Sequence, residues 1–150
     1  MKPLLLFLHL ASVVLWVGGM FFAYMCLRPV AAQQLQPPQR LSLWAAVFAR
    51  FFPWVWLAVT LILASGLAML LQVGFAAAPI NWHAMMTIGI VMMLIFAHVF
   101  FAPYDRLRQG VQTQDWQRAA AALNQIRRLV GINLILGFTT VAVATLGQLP

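Results

Sequence analysis

Four runs of mostly apolar residues, 3–27, 51–73, 80–103 and 129–149, constrain this chain more than anything else in its sequence. Each is long enough to cross a hydrocarbon layer about 30 Å thick, which takes about 20 residues of α-helix. Inside such a layer the backbone can bond only to itself, so each run is expected to be helical. The remaining composition agrees. Only 7% of the residues are charged, against about 25% in a soluble domain. The expected fold is an all-α integral membrane protein, a four-transmembrane-helix bundle forming one domain over residues 1–150, with the lipid bilayer as its partner. The first run follows Lys2 as a signal peptide would. It is too long for one and has no clear small-residue cleavage site, so it reads as a retained helix.

Charge sets the orientation. Segments 28–50 and 104–128 share one side of a four-span chain and hold eight arginines, whereas the other side holds only Lys2. Excess Lys and Arg marks the cytoplasmic face. Both termini and the uncharged connection at 74–81 are therefore expected in the periplasm, with the chain in a bacterial inner membrane. The bases flank the spans and form no run with interleaved aromatics, so nucleic acid is not an expected partner despite the net charge of +7. The stretch DWQRAAAALNQIRRL, from Asp115, puts Trp116, Ala120, Leu123 and Ile126 near one helical face. It predicts an interfacial helix or an inward extension of the fourth span. Asn133 is expected to bond to a neighbouring helix. The single Cys26 excludes an intramolecular disulfide, and no acidic residue lies within a span. His9 precedes Pro29 by the same 20 residues as His83 precedes Pro103, and Leu61-Ile62-Leu63 recurs as Leu134-Ile135-Leu136. Such spacing suits two parallel helical hairpins about an axis along the membrane normal.

Chemistry in this sequence rests on three histidines. His9 lies roughly 9 Å inside the first span and His83 roughly 5 Å inside the third, both from the outer side, at 1.5 Å per residue. His98 is about 22 Å further along the third span. His9 and His83 therefore share a depth. Two imidazoles at one level can hold a haem iron from both sides or help to hold copper. Met86, one turn beyond His83, is a further ligand candidate, since thioether with imidazole suits Cu(I). Trp16, on nearly the same face as His9, and Gly19, which leaves room beside it, complete the candidate cofactor-binding set. His98, with Met92 or Met93, is a candidate second metal station. The competing reading is structural: a lone histidine in a span can simply hydrogen-bond to a carbonyl or a serine.

The stretch LHLASVVLWVGGMFFAYMCLRP resembles the CopD family of bacterial inner-membrane proteins, through His9, Trp16, Gly18, Gly19, Arg28 and Pro29. The likeness continues in RFFPWVWLAVTLILASGLAML from Arg50, WHAMMTIGIVMMLIFAHVFFAPY from Trp82 and IRRLVGINLILGFTTVAVATLG from Ile126. It implies copper resistance or copper uptake across the inner membrane. A related resemblance is to the HemJ group, four-span haem-b proteins that oxidise protoporphyrinogen with a histidine in the first span and a histidine and a lysine in the third. Here Ala84, Met85 and Met86 follow His83, and Lys2 is the only lysine. The departure counts against protoporphyrinogen oxidase activity and leaves haem open.

The first functional expectation is a haem-b membrane protein with His9 and His83 as axial ligands, exchanging electrons with a membrane-soluble partner such as a quinone. The alternatives are a copper-binding or copper-transporting protein, for which transport would call for a homodimer, and a cofactor-free scaffold.

Overall fold

The computed structural model describes residues 2–147, without the Lys2 side chain, and contains no strand among them. The expected end of the fourth span at residue 149 lies outside the described residues. Six α-helices follow one another: α1 (Lys2–Phe21), α2 (Arg28–Gln34), α3 (Pro37–Val73), α4 (Ile80–Phe101), α5 (Pro103–Gln112) and α6 (Trp116–Leu146). Four stretches are long and apolar enough to cross a membrane: Pro3–Gln34, Pro37–Val73, Ile80–Gln112 and Trp116–Leu146. Val14, Leu71, Leu94 and Ile135, one from each stretch, are among the large apolar side chains left uncovered by the protein. Lipid is the solvent that such a surface fits.

Proline shapes the odd-numbered connections. Pro29 has no N–H to give, and the turns before it, Phe22–Leu27, are wound as a π-helix, with the Arg28 N–H bonded to the Ala23 carbonyl. π-Helical insertions commonly mark functional places in otherwise regular helices. Pro103 is met differently: Ala102, at φ −117° and ψ −79°, ends α4, and Pro103 opens α5.

The segment 28–50, expected as a connection, is largely helical. Pro37 and Pro38 open α3, in the first-turn positions where their missing N–H groups cost nothing. Leu41, Trp44, Phe48, Phe52 and Val55 then form one buried stripe that runs straight into the second span. At 37 residues, α3 is about 55 Å long, well beyond the hydrocarbon thickness. The inward-extension reading of the segment from Asp115 is the one that the fold adopts. Asp115 caps α6 by accepting the Arg118 N–H at 3.1 Å, and the helix runs unbroken to Leu146.

Packing divides the bundle into two hairpins. Helix α1 lies along α3, while α4 and α5 lie along α6. Helices α1 and α4 stand on a diagonal, with no Cα of one within 8 Å of the other. Side chains close that gap near the middle, where Trp16 meets Phe96 edge to face at 6.1 Å. Asn133 of α6 donates to the Met92 carbonyl of α4 at 3.2 Å, the interhelical bond expected of it.

Candidate functional site

His9 faces α3. Its Nδ1 lies 3.0 Å from Ser65 Oγ, the only side-chain partner found for it among the described residues. Ser65 is buried, and its hydroxyl donates to the Leu61 carbonyl one turn back. A hydroxyl has one proton to give. With that proton directed to Leu61, Ser65 Oγ accepts and His9 Nδ1–H donates. The neutral ring then carries its free lone pair on Nε2, the atom that would bind a metal. Metal-binding histidines are generally held in this way by a hydrogen bond from the other ring nitrogen. The next residue makes the room: a Cβ on Gly66 would lie 3.3 Å from His9 Cε1. Ser65-Gly66 thus orients and accommodates one imidazole.

Neither residue stood out in the sequence, since serine and glycine are ordinary at helix contacts in membranes. Depth supplies the missing signal. Ser65 precedes the end of α3 by 8 residues and His9 follows the start of α1 by 7, so antiparallel packing brings them level.

The other candidates are spread over the bundle. His83, near the start of α4, packs its ring against Phe75 of the 74–79 connection, with centroids 4.7 Å apart. It stands at the same end of the bundle as His9 but on the diagonal helix. Met86 follows one turn along α4 and is half-buried. Trp16 and Gly19 belong to the core between α1, α3 and α4. Trp16 is fully packed, and the space left by Gly19 is taken by the Phe51 ring, which a Cβ there would strike. His98 lies exposed at the opposite end, with Nε2 3.5 Å from the Gln125 amide. Met92 is buried behind it, with its sulfur facing the Thr140 hydroxyl at 3.9 Å. No cluster of three or more His, Cys, Asp or Glu side chains occurs among the described residues. Any metal held here therefore needs methionine, water or a second chain to complete its shell.

Charge is as unequal in space as in sequence. The helix ends near His9 and His83 carry no arginine, while all eight lie towards the other end, on α2, α5 and the first halves of α3 and α6.

Residues 45–146 match the family described as Copper resistance protein D. The chain belongs to the CopD family. The matched region takes in α4, α5, all of α6 and α3 from its third turn, including Ser65, Gly66, His83, Met86 and His98, while α1 with His9 precedes it. No curated protein and no solved structure matches the chain. Membership makes this CopD protein a copper-resistance-related, multi-pass membrane protein.

Proposed function

We infer that this CopD-family chain handles copper as cargo in the bacterial inner membrane, with His9 Nε2 as the principal ligand and His83 and Met86 as further donors. The observation that carries this reading is the His9–Ser65 contact at 3.0 Å: with Nδ1 as the donor, Nε2 is left free to bind a metal. An imidazole with a thioether is a donor set suited to Cu(I). The end of the bundle free of arginine suits a cation better than the far end, because Lys2 is its only basic side chain. The arginine-rich end supports a cytoplasmic placement for that side. The His9 end then faces the periplasm, and copper meets His9 from outside. Between His83 and His98 the chain offers Met85, Met86, Met92 and Met93 as intermediate donors, and movement across the membrane calls for two copies.

A second reading is haem b held between His9 and His83, serving electron transfer to a quinone-like partner. The diagonal placement of α1 and α4 favours it, because a macrocycle between two imidazoles needs helices that do not touch. Haem would supply one-electron redox chemistry. Charge argues against it: haem propionates are best met by cations, and the arginines lie at the far end.

One experiment separates the readings: a dithionite-reduced minus oxidised visible spectrum of the detergent-purified protein, with metal analysis of the same sample. The expected result is bound copper without a Soret band, lost in His9→Ala at unchanged helicity. Sharp b-type bands at about one haem per chain would move the assignment to haem. Copper retained in full by His9→Ala would sink the site proposed here.

A further inference from the structure

The arginine-rich end contains a cavity of about 250 Å³ between the π-helical stretch, α2, the start of α3 and α6. Arg28, Arg40 and Arg127 line it, together with Tyr24, Trp44 and Asn124. Three separate elements thus bring guanidinium groups to one hollow. The positive-inside tendency explains why arginines gather on one side of a membrane. It does not explain why three of them converge.

Of the five arginines outside the cavity, Arg106, Arg108 and Arg118 have side-chain partners, while none is found for Arg50 or Arg128 among the described residues. Arg106 donates to Gln125, Arg108 to Asp105 and Arg118 to Gln109. No side-chain hydrogen bond or ion pair is found for Arg28, Arg40 or Arg127 among the described residues. Neither acid of the chain can serve them. Asp105 is taken by Arg108 and Gln109, and Asp115 caps α6. The walls are nonetheless built. Tyr24 is held by Gly131, where a Cβ would lie 3.2 Å from the ring, and Arg28 sits over the same ring at 5.0 Å. Trp44, almost wholly buried, forms part of the inner wall. The result is a hollow with a rigid aromatic lining and an unneutralised planar cationic rim, placed level with the edge of the apolar spans.

Arginine forks match phosphate oxygens in pairs, and basic pockets between spans at the cytoplasmic edge suit lipid headgroups. We propose that the cavity lined by Arg28, Arg40 and Arg127 binds a phosphate-bearing anion, presented either by an anionic phospholipid headgroup or as free phosphate. The site is independent of His9 and stands whether or not the chain handles copper.

The test is binding to the full chain in mild detergent, by native mass spectrometry and thermal melting, with phosphatidylglycerol, phosphatidylcholine and inorganic phosphate as separate probes. The expected result is one phosphatidylglycerol retained per chain in preference to phosphatidylcholine. Each Arg→Gln change at 28, 40 or 127 weakens it by roughly tenfold, the effect of losing a charged hydrogen bond. The variant R106Q/R108Q/R118Q, which removes three charges outside the cavity against one in each single variant, retains binding. If inorganic phosphate raises the melting temperature saturably and competes with the lipid, the free ion is the source and the site stands. Absence of saturable binding of either probe to the unmodified protein overturns the proposal, however the variants fold. So does binding that falls equally in the two sets of variants, since that reports net charge alone.

Discussion

Ser65 has a single hydroxyl that donates to Leu61 and lies 3.0 Å from His9 Nδ1, and with its one proton given to Leu61 it accepts from the ring and selects its tautomer. Removing it tests orientation apart from folding. Ser65→Ala is expected to change the unfolding free energy by about 1 kcal/mol, as for one hydrogen bond. The same change is expected to lower copper affinity by roughly 10- to 100-fold, as for loss of an orienting partner. Chelator-competition titration beside denaturant unfolding measures both; equal small effects on the two would make Ser65 a packing residue. Gly66→Leu places bulk where the ring now lies and is expected to abolish copper binding with helicity retained, by circular dichroism. His9 itself was legible in the sequence, because an ionisable ring in an apolar run is costly and needs a reason. Its partner was not. Ser65 is common chemistry in a common place, and only the antiparallel register of α1 and α3 singles it out.

Helices give a similar lesson about boundaries. All four spans were legible from length and hydropathy, because the bilayer imposes a minimum on both. The helical nature of 28–50 was not, since prolines and polar residues there suggest a loop. The contrary signal was the spacing of Leu41, Trp44 and Phe48, which continues through Phe52 and Val55 as one face. Pro37-Pro38 marks a helix start as readily as a turn. At the other long extension, Asp115 closes the first turn of α6. Asp115→Ala is expected to lower stability by about 1 kcal/mol, the usual value of a lost N-cap. Hydrogen exchange should locate the loss at the amides of residues 116–119, and unchanged protection there would show that α5 alone holds the end of α6.

At the scale of the whole molecule, charge predicts which face is which. In a Cys26→Ser background, Phe75→Cys is expected to react with a membrane-impermeant maleimide in spheroplasts, and Gln114→Cys only after lysis. The reverse pattern would invert the orientation and with it the side from which copper reaches His9. The fold class and its family were legible early, because they follow from patterns spread along the chain. The diagonal setting of α1 and α4 was not, because one sequence gives the depth of a residue and not its neighbour across the bundle. That setting follows from the pairing of α1 with α3 and of α4 and α5 with α6, linked along the chain by the short connection at residues 74–79. Each pair is closed by segments adjacent in synthesis, so the first is complete before the second leaves the ribosome. The gene should therefore tolerate being cut in two. Halves ending and beginning in that connection, made as separate polypeptides in one cell, should find each other in the membrane and restore the parent protein.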